Sequence, residues 1–275
     1  HPILANVNIA DDDAVQAFVT ATAVSYIHAD GAGSTVTIGD NANIQMMGST
    51  ATLVSLENGA RLVNNGVLGT ASNPLQVSYI VNARDTSVVE NNGVIDAGTN
   101  PEMTARFPDT QMTGVAYGRQ TAIKADGSAT IKNNATGVIN LASRDDFQGN
   151  TGLILSGKAN FTNDGNLNIA ASQESASILS TQSNIGVEAM NSNRVTNNGQ
   201  IYIGREAQRS VSEDTADLAI GQHSIGVHVY GSAVFNATQD SSITIGSLVE
   251  NATAIDIGGT ATLNQAGTIN INGNV

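Results

Sequence analysis

Two aspartates stand side by side at Asp145-Asp146, and paired carboxylates are what glycoside cleavage requires. A site resembling that of polygalacturonases would also need a Gly-His-Gly and an Arg-Ile-Lys motif, and the chain has neither. Sugar-cleaving clefts favour aromatic platforms, yet the sequence holds 5 Tyr, 5 Phe and no Trp in 275 residues. Nucleophilic catalysis has no better footing. No glycine has a serine two positions after it, which excludes a Gly-x-Ser-x-Gly elbow, and Gly-Asp-Ser-Gly is missing too. His223 and His228 are five apart without an obvious third ligand, cysteine is absent, and Gly258-Gly259 stands alone instead of opening a calcium-binding nonapeptide. These residues predict neither an enzyme nor a cofactor or metal site.

A second group of residues suits binding. Arg106, Arg119, Arg144, Arg205 and Arg209 are five of only 11 basic residues, and guanidinium forks match carboxylates and sulfates. With Asp145 and Asp146 they form the candidate ligand-binding set. The chain as a whole carries 24 Asp+Glu and a net charge of −13, which argues against nucleic acid and against docking on anionic membrane. No apolar stretch is long enough to span a bilayer, and no signal peptide is visible. Without cysteine the fold has no disulfide staples. Its 40% hydrophobic residues are mostly small and aliphatic, so the core must be built from many similar layers.

The elements that would position these residues come from self-similarity. Eight copies of one pattern begin at Ile27, Val54, Val81, Ile123, Leu153, Val187, Val227 and Ile255. Two positions on lies another apolar or small residue, from Ala29 and Leu56 to Ile257. Four positions on lies a turn former: Gly31, Asn58, Asp85, Gly127, Gly157, Asn191, Gly231, Gly259. Six on come small residues such as Gly33, Ala60 and Ala129. Eight on come Thr35, Leu62, Val89, Ile131, Phe161, Val195, Phe235 and Leu263. A second bend follows at Asn64-Asn65-Gly66, Asn91-Asn92-Gly93, Asn133-Asn134, Asn163-Asp164-Gly165 and Asn197-Asn198-Gly199, degenerating at Asn236 and Asn264. Another apolar residue, such as Leu68, Ile95 or Ile201, comes after it.

Period-two alternation marks strands with one buried face. Asn-Asn-Gly also occurs in hairpins, which would make an antiparallel sandwich. A meander, however, does not need the same columns eight times over, whereas a coil stacked on its own copies does. The expected fold is therefore all-β: a right-handed, three-stranded parallel β-helix of about 8–9 coils, roughly 40 Å long at about 4.8 Å per coil. Residues 1–24 read as an N-terminal cap or atypical first coil, and residues 25–275 as the helix. The C-terminus stops mid-pattern, as though the natural chain continued. Extra length enters after the third strand of a copy, at 98–118, 141–152, 171–184 and 204–224, and the candidate arginines lie on or beside these segments. Equal position in a stacked coil means one common edge, where binding loops tend to gather. The register also predicts an outward row of His28, Ser55, Asn82, Lys124, Ile154, Glu188, His228 and Asp256. Its last three members could relay a proton or form a charge ladder.

The repeat, as written in Val187–Ile201, resembles the passenger domains of bacterial autotransporter adhesins, particularly the self-associating kind. Two-partner secreted haemagglutinins share that fold. The resemblance implies a secreted or cell-surface protein, anchored in the outer membrane by a C-terminal barrel that this chain lacks. It implies adhesion, biofilm formation and virulence, either through pairing with passengers on neighbouring cells or through a host matrix protein or glycosaminoglycan.

Overall fold

The computed structural model describes residues 7–9, 15–19, 25–46, 52–70, 78–97, 120–141, 149–169, 180–204, 219–247 and 249–273. All regular structure among them is β, and the strands fall into three long parallel sheets. Sheet 1 stacks eight strands from Ser25–Asp30 to Thr253–Ile257. Sheet 2 stacks nine from Val7–Ile9 to Thr262–Gln265, and sheet 3 nine from Val15–Val19 to Thr268–Ile271. The chain visits the sheets in rotation and every neighbour is one coil away, which makes this a three-stranded parallel β-helix. The first two strands belong to the stack: Val7 pairs with Val36, and Val15 with Ala42.

All eight starting positions of the repeat are in register, Ile27 on Val54, Val54 on Val81, and so on to Val227 on Ile255. Inward residues such as Val54, Leu56, Leu62 and Leu68 are fully buried and belong to one continuous core. Each such side chain contributes about 1.5–3 kcal/mol on burial. The turn formers between sheets 1 and 2 all have positive φ, from 53° at Asn58 to 89° at Gly31, which is the reason for their residue types. One copy departs from the expected spacing. Its bend, Gly31-Ala32-Gly33, is a residue longer, so Ser34 and Val36 take the positions expected of Gly33 and Thr35, and Val36 pairs with Leu62.

The second bend hides a polar row inside the solenoid. Asn64, Asn91, Asn133, Asn163 and Asn197 are each fully buried at the ends of sheet 2 strands and stack coil upon coil. Each Nδ2 donates to the next residue's Oδ1 at 2.7–2.8 Å, in four successive bonds. The same amides also reach backbone carbonyls, including Gly93 O, Gly137 O and Gly199 O, at 3.2–3.3 Å. A buried polar group is tolerated when it is bonded in this way. The row ends at Ile38 on one side and Ala237 on the other. Asn236, expected to continue the bend, points outward and accepts from Asn264 at 2.8 Å, because the inward parity falls on Ala237.

The corner from sheet 3 to sheet 1 is where the chain lengthens. Where the preceding strand ends in Leu141, Ile169 or Ile203, the corner residue is Gly152, Gly186 or Gly226. A Cβ on Gly186 would lie 2.4 Å from Ile169 Cδ1 and 2.5 Å from Gly226 O. In earlier coils the same corner is filled by the buried Leu53 and Ile80.

Candidate functional site

Arg106, Arg119, Arg144, Asp145, Asp146, Arg205 and Arg209 lie outside the described residues, as does all of 98–118. Parts of the other insertion spans are described. Leu141 ends a sheet 3 strand, and Thr151 and Gly152 open a sheet 1 strand, so the connection there is shorter than the expected 141–152. Within 171–184 and 204–224, Ser180–Gln182 pairs in parallel with Ala219–Gln222, which gives two neighbouring connections a small sheet of their own. At their base Asn150 Oδ1 accepts from Gln120 N at 2.8 Å, and Asn184 Oδ1 from Asn150 N at 3.1 Å.

The outward row of sheet 1 has the expected register, with Glu188 on His228 and His228 on Asp256. His228 Nε2 lies 3.6 Å from Asp256 Oδ2. Glu188 accepts instead from the Tyr230 hydroxyl at 3.4 Å, and the Tyr230 ring lies 4.9 Å from that of His228. Burial, and then the charge and hydrogen bond of Glu188, raise the Tyr230 phenol above its usual pKa. At the other end of the row Glu57 faces His28 at 3.7 Å and Arg84 at 3.3 Å. His223 sits exposed in a turn with φ 53°. Among the described residues no group of three or more His, Cys, Asp or Glu side chains could hold a metal ion. Glu188, His228 and Asp256 thus stack in turn along the row, and Tyr230 joins them from the bend that follows.

The three outward sides differ in charge. On sheet 2 the outward positions carry Arg61, Lys132 and Arg194 against Glu90, a net of +2. Arg61 pairs with Glu90 one coil on, while Lys132 and Arg194 are exposed among Thr130, Asn160, Thr162 and Thr196. The strands of sheet 1 carry Asp30, Glu57, Glu188 and Asp256 against Lys124, a net of −3 with histidine neutral. Sheet 3 carries one charge on its outward side, Asp96, over the eight strands from Ala42–Met46 to Thr268–Ile271.

Sheet 3 has its own polar ladder. Asn140 Nδ2 donates to Asp96 Oδ1 at 2.6 Å, and Asn168 Nδ2 to Asn140 Oδ1 at 2.8 Å. Tyr202 comes next in register, its hydroxyl donating to Gln200 Oε1 at 3.3 Å, and Ser242 Oγ bonds the same oxygen. The sequence reading missed both the basic side of sheet 2 and this patch. Their signal was available, since Arg61 and Arg194 fall seven residues, and Glu90 and Lys132 nine residues, after the starts of their copies.

No family model, no curated protein and no solved structure matches this chain. Its class rests on its own geometry, a three-stranded parallel β-helix with chemically distinct long sides.

Proposed function

We propose that this chain is the adhesive rod of a bacterial cell-surface or secreted adhesin, and that rods on neighbouring cells pair with one another. The observation that carries the reading is the opposed charge of the strands of sheet 2, at +2, and of sheet 1, at −3, on a chain of net −13. Two like-charged rods repel unless a side of one meets an oppositely charged side of the other. Docking sheet 2 of one rod on sheet 1 of the next is heterologous, so it need not close and joins rods into open clusters. Each exposed ion pair or cross-rod polar contact contributes only about 0.2–1 kcal/mol. Coils in a common register repeat such contacts along the rod, and many rods on one cell multiply them further.

Display of the chain on cells tests this by settling. Wild-type cells should clump, and clumping should fall with salt as exposed charges are screened. Cells bearing Lys132→Glu with Arg194→Glu should stop clumping among themselves yet still join wild-type cells, whose sheet 2 can meet the variant's intact sheet 1. Undiminished clumping of the variant alone sinks the proposal.

A further inference from the structure

We infer that the outward side of sheet 3 around Tyr202 binds a neutral, hydroxyl-rich polysaccharide laid along the rod. This goes beyond the pairing of rods, which uses sheets 1 and 2. The charge pattern selects the ligand. Asp96 is the one ionised group on this side among the described residues, and Asn140 already engages it, so neither a polyanion nor a polycation finds a counter-charge here. A sugar hydroxyl asks for an uncharged group that both donates and accepts, which amides and hydroxyls do. Asn140, Gln200, Ser242 and Thr244 supply them on three coils, with the buried Asn168 on the coil between Asn140 and Gln200. Coils repeat at about 4.8 Å, close to the advance of one hexose along an extended chain, so one sugar can face each coil.

Tyr202 is the one aromatic among the described outward side chains of sheet 3, and it stands in the middle of this patch. Its ring offers the apolar platform on which a pyranose C–H face rests, and its hydroxyl is tethered to Gln200. Beside it Asn168 is 2% exposed, with its Nδ2 given to Asn140 and its Oδ1 without a partner. That orphaned acceptor is buried beside Tyr202, and a ligand hydroxyl reaches it only where a neighbouring side chain gives way.

The test is electrophoresis of the whole chain through native gels containing hydroxyethyl cellulose, galactomannan or dextran, with heparin as the anionic comparison. At least one neutral polymer should retard the wild type, and heparin should not. Tyr202→Ala should weaken retardation roughly tenfold while its thermal unfolding stays that of wild type, and Tyr202→Phe should keep most of it. Lys132→Glu with Arg194→Glu, which tests rod pairing, should leave retardation unchanged. Loss of clumping with intact retardation would thus count against neither the glycan site nor its assignment to sheet 3. The inference is overturned if no neutral polymer retards the chain, or if Tyr202→Ala migrates as wild type does. It is also overturned if the sheet 2 variant loses retardation. Should Tyr202→Ala abolish clumping with no polymer retained, sheet 3 is a rod-pairing side and the glycan site is wrong.

Discussion

Replacing Asn133 by alanine removes the middle of the buried asparagine row, and the bonds around it fix what should follow. Asn133 accepts from Asn91 and donates to Asn163, both at 2.8 Å. Once it is gone, Asn91 Nδ2 still has Gly93 O at 3.2 Å and Val138 O at 3.3 Å, but Asn163 Oδ1 loses its donor in a fully buried site. An orphaned buried acceptor costs about 1–3 kcal/mol. The void left by the amide adds to this, for a total of about 2–5 kcal/mol. Asn197→Ala removes a similar volume but orphans no acceptor, since Ala237 is its neighbour in the next coil. Asn64→Ala moves an orphan instead of creating one, because Asn64 Oδ1 already lacks a partner. Asn133→Ala should therefore be the most destabilising of the three, by about 1–3 kcal/mol over the end variants. Urea unfolding followed by far-ultraviolet dichroism measures this as a difference in midpoint at unchanged slope. Equal losses at Asn133 and Asn197 would refute the argument that the row acts by satisfying its members in sequence.

Two further outcomes follow from single side chains. Gly186→Ala should cost about 1–3 kcal/mol in the same unfolding measurement, because its Cβ would meet Ile169 Cδ1 and the Gly226 carbonyl, whereas Gly33→Ala, with nothing within 4 Å, should be silent. The Tyr230 phenol is raised above 10.0 by burial and by Glu188, so its contribution to stability is full below pH 10.0 and is lost as pH climbs through the raised folded value. Alkaline loss of stability should be shallower in Tyr230→Phe, and Glu188→Gln should bring the tyrosinate absorbance change to lower pH; identical alkaline curves for wild type and Tyr230→Phe would refute this.

The eight columns were legible because a buried face and a left-handed turn both restrict residue type. Asn58, Asp85 and Asn191 stand where five other copies have glycine, and all eight share positive φ. The inner asparagine row was not legible as such. Asn-Asn-Gly reads as turn chemistry, and only the strand parity at Asn64 or Asn133 shows that the first asparagine of each bend faces inward while the second does not. Fixed spacing fails at Thr35, where one extra bend residue shifts every later position of that copy, and residue identity fails at Asn236, since Ala237 takes the inward position. The arginines of the insertions stand out in the sequence because only 11 residues are basic, and they lie outside the described residues. The charges of sheet 2 were harder to notice. Lys132 and Arg194 stand 62 positions apart in sequence, yet share a face through stacking alone.

The place where this solenoid tolerates extra chain has a physical cause. Between sheets 1 and 2 the bend must deliver a left-handed residue directly over its counterpart, and Gly127, Gly157 and Gly259 approach the backbone of the coil before them closely. Between sheets 2 and 3 the bend must present an asparagine to the amide row, and a slip of one residue would turn Asn64 outward and Val63 inward. Both corners take only small additions, one residue at Gly31-Ala32-Gly33 and two in the bends before Val138 and Ser242, and the register beyond them is kept. The third corner is held by side-chain caps such as Asn150 and Asn184, each of which bonds a backbone N–H of the adjacent coil at the start of sheet 1. Chain inserted upstream of such a cap leaves the cap in place, so added length accumulates on one edge. The described strands of sheets 2 and 3 themselves carry no insertion. Repeated weak contact requires such strands, and their outward residues can change from coil to coil without disturbing the inward columns that hold the register.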